Sequence, residues 1–248
     1  FVVAKGKICA VLTVRSFAAD TIRVLLMNEN FKGLYHSGLT LQCPVPMTLV
    51  QGETETEVAA GEVLDYVHGD ECFGAGRIIL IPHQGQEITV SSLNRSHGHP
   101  AYGGRLELID TDQGLVLINE LYLEDYLKKV VPSEMPSSYE KEALKAQAVC
   151  ARTYAYMQIQ SNTYSEYGAH VDDSTNFQVY NNIETSARTT EAVQETYGKM
   201  LLYDGSPVSA YYYSTSCGTT TDGSVWGGDG AGTPYLRAVA LQPGRRTL

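Results

Sequence analysis

An α+β fold is what this sequence predicts, on three observations. The first half is a series of short β-branched runs broken by Gly, Asp, Gln or Pro. At Leu123 the apolar spacing changes from alternate residues to the helical period. The remainder alternates helical stretches with a hairpin and Gly-rich loops. The expectation is a β-rich N-terminal half with a mostly antiparallel sheet. It packs against a central long helix and a C-terminal helix, hairpin and loop region that forms a groove. The natural division is a lobe over 1–122 and a second over 123–248, with one continuous domain as the alternative.

The strands come first. "TIRVLLM" (21–27), "GRIILIP" (76–82), "ITVSSL" (88–93), "GRLELID" (104–110) and "GLVLINELYL" (114–123) are each bounded by turn residues. Between them "VQGETETEVAAGEV" and "NRSHGHPAYGG" read as exposed connections. "LEDYLKKVV" then has helical spacing. Ser137 and Glu140 have the spacing of a capping box, and Pro136 excludes Met135 from helical geometry. The run that follows has no breaker, which predicts the longest helix over 137–160. A Tyr-rich loop and "GAHVDDSTNFQVY" lead to a polar helix, "TSARTTEAVQETY", stopped by Gly198. "KMLLY" and "PVSAYYY" flank "DGS" as a hairpin, and the Gly- and hydroxyl-rich segment after it is long enough to wall a groove.

Composition narrows the function classes. Eighteen basic against twenty-eight acidic residues give a net charge of −10, which repels nucleic acid phosphates and anionic lipid. No run approaches the roughly 18 apolar residues of a spanning helix. Seventeen tyrosines against five phenylalanines favour rings with a polar handle, suited to half-wet grooves. Cys9, Cys43, Cys72, Cys150 and Cys217 form no CxxC pair, so a zinc ribbon is disfavoured; one or two disulfides are open to an exported protein.

Glu134 is the residue that invites a chemical role. It is a lone acid in "VVPSEMPSS", its path fixed by Pro132 and Pro136, among apolar neighbours that penalise its ionised form. The competing reading is an acid that merely complements a helix dipole. Lys145 and Arg152, seven residues apart, lie within about 20° of each other on one helix face. They reach either a site or solvent. His170, Asp172 and Asp173 suit a solvated turn better than a metal cluster. Ser214 and Ser216 lack the GxSxG elbow of a serine nucleophile.

"LEDYLKKVVPSEMPSSYEKEALKAQAVCARTYA" resembles the signature of the stage II sporulation protein D family of peptidoglycan lytic transglycosylases, related to amidase enhancer proteins. The resemblance extends from about residue 100 to 241 through "YGGRLELI", "FQVY", "YYYSTSCG", "VWG" and "PYLRAV". It implies that Glu134 is the catalytic acid. It implies that Lys145, Arg152, Gln178, Tyr180, Tyr212, Ser214 and Ser216 bind substrate. The reaction so implied cleaves the bond between N-acetylmuramic acid and N-acetylglucosamine, leaving 1,6-anhydro ends. The tethered muramyl hydroxyl replaces water, so one carboxyl can act first as acid and then as base.

The resemblance further implies peptidoglycan glycan strands and a cell-wall amidase as partners, no nucleic acid, and a sporulation setting. The place implied is extracytoplasmic, secreted or tethered by an anchor upstream of Phe1. Some family members bind zinc through a His and cysteines; His170 is present here, but Asp172 and Phe177 occupy the cysteine positions, so no cofactor is expected. Cys217 stands where Gly is usual. The rival reading is a non-catalytic wall-binding amidase enhancer or scaffold, since a fold does not fix an activity. The sign of the Glu134 pKa shift is open: burial by Val130, Val131 and Met135 raises it, while a helix N-terminus with Lys145 and Arg152 lowers it.

Overall fold

The computed structural model describes residues 11–13, 20–161, 163–214, 218–226 and 233–240. Strands β1 (Val11–Thr13), β2 (Thr21–Leu25), β3 (Gly38–Gln42), β4 (Met47–Gln51), β5 (Thr54–Val58) and β6 (Val63–Val67) open the chain. They are followed by β7 (Ile78–Pro82), β8 (Ile88–Val90), β9 (Ala101–Tyr102), β10 (Arg105–Thr111) and β11 (Gly114–Tyr122). Then come helices α1 (Leu123–Glu134) and α2 (Lys141–Ile159), strand β12 (Val171–Asp172), helix α3 (Ala187–Glu195), and strands β13 (Lys199–Tyr203) and β14 (Ser206–Pro207). The architecture is the expected α+β arrangement of an antiparallel β-rich region packed against helices.

A seven-stranded sheet runs in the order β12-β2-β11-β10-β7-β4-β5, antiparallel except where β12 joins β2. A second sheet runs β6-β3-β8-β9, and a third runs β1-β13-β14. Strand β11 explains its own unbroken apolar run. Leu115, Leu117 and Leu121 enter the main core, while Val116 and Ile118 enter a smaller cluster with Leu25, Tyr167 and Ala169 on the other face. Gly104 sets the entry to β10: its φ is +76°, and a Cβ there would lie 2.2 Å from the Glu120 carbonyl oxygen of β11.

Helix α1 buries Leu123, Tyr126, Leu127, Val130 and Val131, the i, i+3, i+4 stripe of an amphipathic helix. It continues through Pro132 to Glu134 and stops because Met135, ahead of Pro136, is extended (φ −141°, ψ 128°). Helix α2 buries Leu144, Ala148, Ala151 and Ala155, small enough along much of the stripe for α1 and α3 to pack closely.

Four expectations are corrected. The capping box at Ser137 and Glu140 does not form: α2 begins at Lys141, with Glu140 as an N-cap that makes no side-chain bond. The carbonyls of Ser137 and Tyr139 instead accept from Arg188 of α3 (3.0 and 2.8 Å), a tertiary contact that overrides the local signal. "VQGETETEVAAGEV" is not a plain connection, because β4 and β5 pair through it as a hairpin. The second strand of the "DGS" hairpin is only two residues long, β14, and β13 takes β1 as its other neighbour. Helix α3 has Thr196 as its C-cap, two residues short of the expected Gly198, which takes φ +66° in the turn that follows, and at its start α3 gains a box in which Ser186 and Thr189 cap each other.

Candidate functional site

Glu134 is the last residue of α1, where the helix axis points its negative end at the carboxyl. Its Oε1 accepts the backbone N–H of Val179 at 2.6 Å. Burial pushes its pKa up, and the Val179 N–H opposes that only in part. The two cations that could have reversed the sign are committed elsewhere. Lys145 pairs with Glu142 (2.8 Å) and Glu195 (3.5 Å). Arg152 is wholly buried in a bidentate pair with Glu124, Nε to Oε1 at 2.7 Å and Nη2 to Oε2 at 2.8 Å. Its remaining N–H groups go to the carbonyls of Ala148, Val193 and Lys199. Every guanidinium donor is therefore used within a knot that ties α1, α2, α3 and β13 together.

Beside Glu134 lies a cleft of about 100 Å³ lined by Tyr154, Phe177, Gln178, Tyr211 and Tyr212. Burial and then the nearby Glu134 charge push the Tyr212 phenol well up; burial first, with Tyr211, Asp172 and Glu134 adding, holds Tyr154 up at about 12. Gln178 is buried, and its amide is oriented by its neighbours. Nε2 donates to Tyr212 Oη (3.0 Å) and the Ala151 carbonyl (3.4 Å), while Oε1 accepts from Tyr126 Oη (3.4 Å). Because Tyr212 Oη accepts from Gln178, its own proton does not serve that contact and can be offered to a different acceptor.

The loop that brings Gln178 and Val179 to the cleft is held at both ends. Asp173 and Arg95, both fully buried, pair at 2.7 Å, and Asp173 also accepts from Met27 N. Ser133 Oγ accepts the backbone N–H groups of Asn182 and Ile183 (3.1 and 3.2 Å), which fixes the far side.

The remaining predicted residues are dispersed. Tyr180 lies in the core, its hydroxyl donating to Asn119 Oδ1 at 2.7 Å and its ring stacked on Tyr126 at 4.9 Å. Ser214 is exposed near the end of the Tyr-rich segment, and Ser216 lies outside the described residues, as do Cys9 and Cys217. Cys43, Cys72 and Cys150 are free thiols. His170 Nδ1 accepts from Arg23 N, and Asp172 accepts from Tyr164, Ser174 and Asn176. Among the described residues no group of three or more His, Cys, Asp or Glu is disposed to hold a metal ion. Nor is any helix among them long and apolar enough to cross a membrane.

Sequence reasoning missed Tyr154 and Tyr211 as cleft walls. It also missed Glu124 as the partner of Arg152. That acid sits in the first turn of α1, where the dipole alone would have accounted for it.

Comparison with known proteins bears on this arrangement. Residues 111–203 match the family model of the stage II sporulation protein, SpoIID. An uncharacterized protein of Brachyspira hyodysenteriae is 42% identical over 139 residues, 56% of this chain and 37% of that protein. The amidase enhancer of Bacillus subtilis is 43% identical over 113 residues, 45% of this chain and 14% of that protein. Stage II sporulation protein D of Bacillus subtilis is 38% identical over 136 residues, 49% of this chain and 39% of that protein. The chain thus spans well under half the length of each of these relatives. The α1–α2 segment, Glu134 and Gln178 all lie inside the stretch that matches the SpoIID family model.

Proposed function

We propose that this chain binds cell-wall glycan strands at the Glu134 cleft and works beside a cell-wall amidase, extracytoplasmically. The observation that carries the reading is a half-buried carboxyl with no cation on it among the described residues, set beside a cleft walled by tyrosines and a buried amide. Aromatic faces suit the apolar faces of sugar rings, and phenol and carboxyl groups suit their hydroxyl and acetamido groups. The name of the Bacillus subtilis amidase enhancer supports the amidase context. The other functional residues of the reading are Gln178 and Tyr212, which line the cleft, with Tyr180 supporting them from the core and Arg152 in the frame behind them.

A second reading, strand cleavage by lytic transglycosylation, is favoured by the raised pKa of Glu134. A carboxyl that holds its proton to higher pH than an ordinary glutamate can give that proton to the leaving glycosidic oxygen. The muramyl 6-hydroxyl then attacks the anomeric carbon, and the resulting carboxylate takes up the hydroxyl proton as the 1,6-anhydro ring closes. No second carboxylate is needed.

One experiment separates the two. Purified peptidoglycan is incubated with the protein or with Glu134→Gln, alone and with a wall amidase, and soluble products are read by mass spectrometry. The first reading expects binding, a faster amidase and no anhydro-muramyl ends. Anhydro ends from the wild type alone establish cleavage, and failure to bind peptidoglycan sinks both.

A further inference from the structure

A second cavity, of about 280 Å³, opens at the opposite end of α1 from Glu134, between α1 and the end of α3. Tyr122, from the β11–α1 junction, and Tyr197, from the α3–β13 junction, line it with 57% and 48% of their surfaces exposed. Val193, buried on α3, supplies an apolar contact, and Glu124, Asp125, Lys128 and Gln194 supply polar ones. Ten residues of helix separate Glu124 from Glu134, about 15 Å of rise, so the two cavities are distinct.

The charges of this lining cancel. Glu124 is spoken for by Arg152, and Asp125 pairs with Lys128 at 2.7 Å. An ionic ligand would find no net opposite charge to offset its desolvation. What the lining offers is two half-exposed aromatic rings, carboxylate acceptors, an ammonium donor and an amide that both donates and accepts. A ring with an apolar face and a rim of hydroxyls satisfies all of these at once. The volume lies just below the ~300–1,000 Å³ range of ligand pockets, the size for one ring rather than a chain.

We propose that this cavity is a separate sugar-binding subsite that takes one pyranose unit, held between Tyr122 and Tyr197. The choice of an N-acetylated pyranose as its natural unit rests on the glycan reading of the Glu134 cleft; the subsite itself rests on its own lining. A strand held here as well as at the cleft is held twice by one chain, which raises its residence without any change at Glu134.

The test titrates the full chain with N-acetylglucosamine and follows backbone amide shifts. The subsite predicts saturable shifts over 122–128 and 193–198, and a half-saturation concentration there at least about tenfold higher in the Tyr122→Ala, Tyr197→Ala double variant. Shifts around 177–179 and 211–213 should survive that variant unchanged and so report that it is folded. A Gln194→Leu variant, exposed and outside the core, should weaken the first set alone. Shifts confined to the Glu134 cleft overturn the subsite and leave the glycan reading standing. Shifts confined to the α1–α3 cavity uphold the subsite and count against the cleft. Saturable shifts at the cavity with a wall stem peptide but none with the sugar overturn it as a sugar site.

Discussion

Glu134 ends α1 half-buried, with one carboxyl oxygen on the Val179 N–H, and that burial raises its pKa. The sequence suggested a position ahead of a helix N-terminus, where the dipole favours the carboxylate; the structure puts it at the C-terminal end of α1, where the dipole disfavours it. With its folded pKa above the unfolded value, Glu134 favours the native state fully only below the unfolded pKa. That contribution is lost as pH rises through the folded pKa. Glu134→Gln keeps an oxygen for the Val179 N–H and removes the desolvated charge. Its Tm should therefore exceed that of the wild type by roughly 1–4 °C at pH 8, with the gap closing at pH 4, as calorimetry across pH would show. Arg152 makes the opposite case. No local pattern points to Glu124, 28 positions away, so a cation at helical spacing read as facing either a site or solvent. Arg152→Met strands Glu124 at the knot between the helices and should lower unfolding free energy by about 3–5 kcal/mol in urea titration. Lys145→Ala, at a solvent-facing pair, should leave the unfolding midpoint unchanged.

The elements most easily read were those whose pattern is local. The stripe Leu123, Tyr126, Leu127, Val130 and Val131 announces α1, and β10 and β11 announce themselves by apolar runs that each follow a glycine. Elements defined by distant partners escaped. Strand β12 is two residues that pair in parallel with β2, almost 150 positions earlier, and α2 starts late because Arg188 holds the preceding turn. The end of α1 shows the same dependence. Pro132 supplies no N–H to the last turn, and Ser133 turns its hydroxyl both back to the Lys129 carbonyl and outward to the Asn182 and Ile183 amides. Ser133→Ala leaves both amides without that acceptor. The expected cost is about 1–3 kcal/mol, with faster hydrogen exchange at Asn182 and Ile183 and, through Val179, a weaker hold on Glu134.

Across the molecule, one core runs from Ile22 to Val193 and takes side chains from the sheet, α1, α2 and α3. Strands β1 and β2 of the first half are paired to β13 and β12 of the second. A fragment of residues 123–248 should accordingly show no cooperative thermal transition on its own, while the full chain shows one. The same continuity gives the first half a purpose near the cleft, since Arg95 and Met27 hold the Asp173 end of the loop that carries Gln178 and Val179. Both readings of the cleft place a Glu134 carboxyl with a raised pKa where a sugar would meet it. The most direct check is a carbon-13 titration of its side-chain carboxyl, alone and with a purified glycan fragment. The midpoint should lie above the ordinary glutamate value of about 4.3 and move again when the glycan binds. A midpoint at or below that value, indifferent to glycan, contradicts the assignment.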